Sequence, residues 1–168
     1  MASQGVAFPV EGGCCCGELR YSLTTAPIVV HCCYCRWCQK ESGSSFALHA
    51  MIETDRVKIL KGEEEWDDVP SHSGKGQRIA RCPRCKIAIW SIYLGSKAKD
   101  KIRLVDVGTL DNPDTFPPDA QIWTSSKQPW IVLPDNIPSA EGEEYDREKV
   151  WSKENMERLD KVRAQAGV

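Results

Sequence analysis

The alternation of apolar and polar residues along the chain predicts a mainly β protein built from short strands. In segment 17–23, GELRYSL, apolar and polar residues alternate as in a half-buried strand, and segment 27–32, PIVVHC, is rich in β-branched residues. Segment 120–130, AQIWTSSKQPW, is a further candidate strand. Five more segments have strand-like composition and are bounded by Gly, Pro, Asp or Ser: 45–52, 56–62, 77–82, 87–94 and 101–110.

Helix-like sequence is confined to two places. Segment 146–165, DREKVWSKENMERLDKVRAQ, favours a helix near the carboxyl end, and its residues Trp151, Leu159 and Val162 could share one face. A short helix is predicted near Arg36–Glu41. Helices are therefore expected to be a minor part of the fold.

The remaining segments predict loops and a single domain. Residues 71–78, SHSGKGQR, lack the spacing of a phosphate-binding loop and favour a hairpin tip. We predict one β-rich domain over residues 8–135, followed by a partly helical extension over residues 136–168. Three segments that are rich in proline or acidic residues are predicted to be loops: 61–68, 111–120 and 133–144.

Charge and hydropathy exclude two classes of partner. The chain has 168 residues and a formal net charge of −2, with no run of five basic residues that could neutralise nucleic-acid phosphates. No stretch approaches the roughly 20 apolar residues that span a bilayer. The first residues, MASQGVAFPVEGG, lack both the basic and the apolar parts of a leader segment. We therefore expect a cytoplasmic protein with neither nucleic acid nor a membrane as partner.

The nine cysteines change this picture most. Their number is odd, and they are spaced as C-x-C and C-x-x-C, which is more typical of metal ligands than of a disulfide framework. Cysteines one or two positions apart seldom pair with each other but converge readily on a tetrahedral metal ion. The cysteines form three groups: Cys14, Cys15 and Cys16; Cys32, Cys33, Cys35 and Cys38; Cys82 and Cys85.

A structural zinc site is predicted from two of these groups. Zinc in structural sites takes four ligands, and the C-P-R-C turn of Cys82 and Cys85 supplies only two. The natural partner pair is Cys14 and Cys16, because the glycines that flank them allow a tight turn. Such a site would join the amino-terminal strand to the centre of the chain.

The middle group predicts a second zinc site with one open position. Cys33, Cys35 and Cys38 form C-x-C-x-x-C, and three protein ligands with a vacant position are typical of catalytic zinc. His31 or Cys32 could complete the set and make this site structural too. In an extended segment Cys32 points away from Cys33, so Cys32, like Cys15, is expected to be a buried free thiol.

The three cysteine motifs carry a resemblance to a known family. GGCCCGELRYSLTTAP, CYCRWCQKESGSSF, SHSGKGQRIARCPRC and VGTLDNPDTFPPDAQIWTSSKQPW resemble, in this order from about Gly12 to Trp130, the glutathione-dependent formaldehyde-activating enzyme family, which includes centromere protein V-like proteins. The chain departs from the common family pattern at Tyr34, Lys86 and Gln121, where relatives often have His, Gly and His.

The resemblance implies a fold, a cofactor set and a chemistry. The implied fold is Mss4-like, with two small antiparallel sheets built around zinc, here followed by a carboxy-terminal helix. Two zinc ions per chain are implied, one structural and one catalytic. The ligands divide as the spacing indicates: Cys14, Cys16, Cys82 and Cys85 for the structural ion, and Cys33, Cys35 and Cys38 for the catalytic ion.

The expected activity is that of a carbon–sulfur lyase, or of an enzyme that forms thiol adducts. Its substrate would be a glutathione-like adduct of an aldehyde or a related electrophile. Ser42, Gly43 and Ser44 follow the second cysteine group directly, and the turn they predict could hold a substrate carboxylate. The alternatives are a non-catalytic zinc-binding interaction module for the protein, and a simple turn for this segment. A homo-oligomer through the Trp-containing tail is left open.

Overall fold

The computed structural model describes residues 5–167 and contains ten strands and two α-helices. The mainly β class, the two sheets and the carboxy-terminal helix agree with the sequence-based prediction. Residues 1–4, on which part of the leader-segment argument depends, lie outside the described part. The strands are β1 Val10–Gly13, β2 Arg20–Leu23, β3 Val29–Cys33, β4 Ala47–Glu53, β5 Val57–Lys61, β6 Glu65–Val69, β7 Gln77–Arg81, β8 Ala88–Tyr93, β9 Ile102–Asp106 and β10 Ala120–Ile122, and the helices are α1 Arg36–Ser42 and α2 Lys153–Gln165.

The strands form one small sheet and one large sheet. The small sheet has the order β1-β2-β5, and the large one has the order β10-β3-β4-β9-β8-β7-β6. All pairs are antiparallel except β10 with β3, which is parallel. The expectation of purely antiparallel sheets is corrected here, because the long connection after β9 returns the chain along β3 in the same direction. The register of this pair places Ile122 beside Cys33.

The main core lies between the two sheets. Tyr21 of the small sheet meets Trp90 of the large sheet edge to face, with ring centroids 5.3 Å apart, and both side chains are fully buried. Leu19, Ile52 and Val105 are buried in the same cluster. Cys14 and Cys82 also belong to this cluster, so one of the predicted metal sites borders the core.

A second apolar cluster fastens α2 to the domain. Trp151, Leu159 and Val162 are buried against Ile28 and Ile102, among other residues. The predicted shared face is confirmed for Leu159 and Val162, whereas Trp151 precedes α2 and packs into the same cluster from outside the helix. The side chain of Ser152 caps the helix by accepting a hydrogen bond from the backbone N–H of Asn155 at 3.1 Å.

The acidic segment 61–68 is not a simple loop, and that prediction was wrong. Its second half enters β6, which pairs with β7 in register Glu65 to Arg81 and Val69 to Gln77. The basic side chains of β7 compensate the acidic ones, as in the pair of Arg78 with Asp68 at 2.8 Å. Residues 70–76 connect the two strands, so the predicted hairpin tip is confirmed. Within residues 5–167, no helix combines the length and the apolar character needed to cross a membrane.

Candidate metal centres

Four cysteines from distant segments converge between the sheets. Cys14 and Cys16 lie in the turn between β1 and β2, and Cys82 and Cys85 lie in the turn between β7 and β8. Their four sulfur atoms all lie within 4.8 Å of one another. The first turn needs the left-handed conformation that Gly17 adopts at φ 71°. We refer to this group as the four-cysteine cluster.

Backbone N–H groups around the four-cysteine cluster favour thiolate. The backbone N–H of Ile87, more than any other group, lowers the pKa of Cys85 to about 6. Burial raises the pKa of Cys14, but the N–H of Leu19, which donates to its Sγ at 3.3 Å, and the neighbouring thiols leave this pKa lowered. Four converging sulfurs with N–H donors aimed at them fit a structural zinc ion.

Three cysteines converge where β3 passes into α1. Cys33 ends the strand, Cys35 occupies the N-cap position of α1, and Cys38 lies in the first turn of that helix. The Sγ of Cys35 accepts a hydrogen bond from the backbone N–H of Cys38 at 3.4 Å, which fixes the C-x-x-C half of the motif. The three sulfur atoms lie within 4.8 Å of one another. We refer to this group as the three-cysteine cluster.

Hydrogen bonds among the thiols of the three-cysteine cluster shift their pKa values in opposite directions. Hydrogen bonds from Cys33 and Cys38 hold the pKa of Cys35 far below its usual range. The hydrogen bond that Cys33 donates to Cys35 raises the pKa of Cys33 to about 12, and the bonds that Cys38 donates to Cys33 and Cys35 raise the pKa of Cys38. A divalent cation would replace the shared protons, so this donor set also fits zinc.

In the part of the chain that the structure describes, no fourth His, Cys, Asp or Glu joins the three-cysteine cluster. The two alternatives from the sequence are held elsewhere. The Nε2 of His31 lies 2.6 Å from the hydroxyl of Tyr145, and burial lowers the pKa of His31 to about 4. Cys32 is buried and lies outside both clusters. Cys15 was expected to be a buried thiol, but it is exposed, because the turn between β1 and β2 directs it outward.

The other two histidines also lie outside both clusters. His49 pairs with Asp106 at 3.1 Å. His72, at the tip of the β6–β7 hairpin, meets Trp123 with ring centroids 4.5 Å apart. Because Trp123 follows β10 and His72 follows β6, this contact joins the two opposite edges of the large sheet. The ion pair of Arg81 with Glu41 makes a similar bridge between β7 and α1.

The predicted substrate turn lies at the end of α1. Ser42, Gly43 and Ser44 are exposed. The hydroxyl of Ser42 donates to the carbonyl of Cys38 at 2.8 Å and accepts from the backbone N–H of Ser44 at 3.2 Å. Ser42 therefore orders the turn, and the N–H of Ser44 is already used within it.

A shallow depression of about 630 Å³ lies beside this turn. It is lined by Gly43, Ser44 and Ser45 together with the basic residues Arg36 and Lys40, as well as by Gln39 and Gln128. The sequence analysis did not single out Arg36 and Lys40. Their spacing of four residues on the predicted helix would have placed both cations on one face.

Comparison with known proteins identifies one family. The family model described as "Glutathione-dependent formaldehyde-activating enzyme" matches residues 9–126, which contain all seven clustered cysteines. Among proteins with curated descriptions, none matches the chain. A crystal structure of a Rhodobacter sphaeroides protein is similar with a TM-score of 0.46 and 16% sequence identity, covering 77% of this chain and 99% of that chain.

Proposed function

The chain belongs to the glutathione-dependent formaldehyde-activating enzyme family, and on this premise we propose that it makes or breaks a carbon–sulfur bond between a thiol and an aldehyde-type carbon. The observation that carries the proposal is the three-cysteine cluster, which gathers three sulfurs without a fourth protein ligand among residues 5–167. A pure interaction module would need only the four-cysteine cluster, whereas a vacant position next to three sulfurs serves an incoming ligand.

The proposed reaction transfers one proton and forms one bond. The sulfur of the substrate thiol bonds to the carbonyl carbon, the carbonyl π electrons move to oxygen, and the thiol proton ends on that oxygen as a hydroxyl. The reverse direction breaks the same carbon–sulfur bond. A zinc ion held by Cys33, Cys35 and Cys38 would supply a position at which a thiol loses its proton and a sulfur anion is stabilised.

The chain's own residues would bind and orient the thiol. Arg36 and Lys40 place two positive charges beside the turn of Gly43 and Ser44, and glutathione carries two carboxylates. Ser42 would act indirectly, by holding the turn in shape. We propose that the substrate is a small thiol adduct and that the protein has no nucleic-acid or membrane partner. We also propose that it acts in the cytoplasm, where thiols stay reduced.

The test combines a metal count with turnover. Cys35→Ser should lower the zinc content from two ions to one per chain and reduce the turnover of a glutathione–aldehyde adduct by on the order of 100-fold or more. Cys15→Ser is the matched control, because Cys15 is exposed and lies outside both clusters, and it should change neither value.

Full turnover in Cys35→Ser with one zinc ion bound would refute the proposal. The interaction-module alternative makes a different prediction for the wild-type protein. It requires that added glutathione leaves the absorption spectrum of the cobalt-substituted protein unchanged, because a closed site has no position for a further sulfur.

A further inference from the structure

Tyr34 occupies the position between two sulfur ligands and is held from opposite ends by two glutamine amides. It separates Cys33 from Cys35, and its backbone N–H donates to the carbonyl of Ile122 at 3.0 Å. Its backbone carbonyl accepts from Gln39, and its hydroxyl donates to Gln121. The conformation of the C-x-C half of the three-cysteine cluster therefore depends on these two side chains.

Gln39 uses both of its amide hydrogens. Its Nε2 donates to the carbonyl of Tyr34 at 2.5 Å and to the carbonyl of Ser126 at 3.0 Å. Its Oε1 accepts from Arg36 at 2.9 Å and from Gln128 at 3.1 Å. The side chain lies within the C-x-x-C helix and is only 9% exposed, and its bond to the carbonyl of Tyr34 is buried.

Gln121 makes the corresponding link on the other side. It is 2% exposed, and its Oε1 accepts from the Tyr34 hydroxyl at 3.3 Å. Its Nε2 donates to the carbonyls of Pro134 at 3.3 Å and Ile137 at 3.2 Å. Its backbone carbonyl accepts from the N–H of Ala140 at 2.9 Å.

The segment that Gln121 holds lies beyond the family match, which ends at residue 126. Residues 134–142 run along β10, with Ser139 bridged to Gln121 in parallel and the carbonyl of Gly142 bonded to the N–H of Trp123 at 2.8 Å. This segment, which we name the β10 strap, is thus connected to the three-cysteine cluster through Gln121 and Tyr34.

We propose that Gln39 and Gln121 are positioning residues that hold the three-cysteine cluster ready for its metal, and that the β10 strap is a working part of this centre. Cys33, Cys35 and Cys38 lie where a strand passes into a helix, so the spacing of their sulfur atoms depends on the bonds that fix this junction. Outer residues that orient metal ligands contribute about 10- to 100-fold to metal affinity. The proposal concerns metal binding and does not depend on the proposed reaction.

The experiment measures metal affinity at each cluster separately. Gln121→Met keeps the length of the side chain but removes its hydrogen bonds. It should lower the zinc affinity of the three-cysteine cluster about 10- to 100-fold and leave the zinc affinity of the four-cysteine cluster unchanged. Competition with a chromophoric chelator measures both affinities. With cobalt(II) as the probe, the thiolate-to-metal bands of the three-cysteine cluster should shift, which a loss of general stability would not produce.

Tyr34→Phe tests the same hydrogen bond from the tyrosine side and removes only one hydroxyl. It should also lower the zinc affinity of the three-cysteine cluster. This variant provides the test if Gln121→Met does not fold. Cys32 is a buried thiol next to Cys33 that lies outside both clusters. Cys32→Ala is therefore its control and should leave the metal affinity unchanged.

Thr124→Val is the control for the strap. The hydroxyl of Thr124 donates to the carbonyl of Ala140 at 2.9 Å, so this change loosens the strap without touching Tyr34. It should lower the metal affinity of the three-cysteine cluster less than Gln121→Met does. Unchanged affinity in both Gln121→Met and Tyr34→Phe would overturn the proposal. Equal weakening of zinc binding at both clusters would also overturn it.

Discussion

Neighbouring cysteines in this chain have different roles because their backbones aim them differently. Cys14 is buried in the four-cysteine cluster, while Cys15 beside it is exposed. Cys33 ends β3 in the three-cysteine cluster, while Cys32 lies on the other face of the same strand. The side-chain direction at a single position thus separates a ligand from a free thiol.

Lys86 illustrates a backbone requirement at the four-cysteine cluster. It has a left-handed conformation, φ 61°, and its N–H donates to the carbonyl of Cys82 at 2.9 Å. A β-branched residue tolerates this conformation poorly, so Lys86→Val should lower the free energy of unfolding by about 1–2 kcal/mol, whereas Lys86→Gly should not. Urea unfolding of the zinc-loaded protein measures the difference.

Lys86→Ala controls for the loss of the ammonium group of Lys86. Its free energy of unfolding should lie between those of the Gly and Val variants, because alanine has a Cβ but lacks the branch that crowds the turn. Equal stabilities for the Gly and Val variants would show that the left-handed conformation carries no strain.

A substitution of Lys40 tests whether the depression beside the turn of Gly43 and Ser44 binds the thiol substrate. If the Lys40 ammonium group holds a carboxylate of glutathione, Lys40→Gln should raise the KM for glutathione about two- to fivefold with kcat unchanged, and the effect should fade at high salt. Cysteamine, a thiol without a carboxylate, should show no change. Lys149→Gln, an exposed lysine far along the chain, is the control. An equal KM change for both thiols would remove the charge-based role.

At the scale of elements, α2 is fastened by polar bonds as well as by its apolar face. Arg158 makes two hydrogen bonds to the carboxylate of Glu53 in β4, at 2.8 and 2.5 Å. It also donates to the carbonyl of Ala26 at 3.0 Å. The amide of Asn155 donates to the carbonyl of Ile28 at 2.7 Å, just before β3. The helix thus anchors the start of the strand whose end carries Cys33.

Removing the buried carboxylate should destabilise the protein in a pH-dependent way. Burial raises the pKa of Glu53, but the bonds and charge of Arg158 outweigh it and leave the pKa below its ordinary 4.5. A lowered pKa contributes stability above the unfolded-state pKa, and this contribution is lost as the pH falls through the folded-state pKa. Glu53→Gln should therefore cost about 3–5 kcal/mol near pH 6, where it leaves Arg158 without its buried partner.

The difference in unfolding free energy between wild type and Glu53→Gln is the quantity to follow, because acid also protonates the metal-binding thiols in both proteins. This difference should shrink as the pH falls below about 4.5. A difference that stays constant with pH would show that the Glu53 carboxyl is not held ionised by Arg158.

At the scale of the whole molecule, the four-cysteine cluster joins the two sheets. One pair of its sulfurs belongs to the turn between β1 and β2 of the small sheet, and the other pair to the turn between β7 and β8 of the large sheet. The three-cysteine cluster, by contrast, lies within a single short segment from Cys33 to Cys38. Only the first cluster therefore fixes the position of one sheet against the other.

If each cluster holds a zinc ion, loss of the two ions should consequently have unequal effects. Cys82→Ser should lower the midpoint of thermal unfolding far more than Cys38→Ser, because structural zinc sites supply on the order of 10 kcal/mol of folding free energy. Circular dichroism melts with and without a chelator measure both variants. A chelator should unfold the wild-type protein under conditions that leave Cys38→Ser with zinc folded. Equal destabilisation by the two substitutions would contradict this division.

The sequence by itself determined the features that depend on neighbours along the chain. The spacing of the cysteines indicated both cysteine clusters, and the apolar positions of Leu159 and Val162 indicated the buried face of α2. Alternation indicated most strands, because burying one face requires a period of two. It missed β6, since this edge strand is acidic and its polar side chains are matched by those of β7.

The tertiary structure alone decided which distant segments surround the three-cysteine cluster. The contacts of Tyr34 with Gln121, of Gln39 with Ser126 and of His72 with Trp123 all join residues far apart in sequence. They follow from the strand order, which places β10 beside β3, and from the approach of the two outer edges of the large sheet. Local patterning specifies which face of a strand is buried, whereas the choice of neighbouring strand depends on how the whole chain packs.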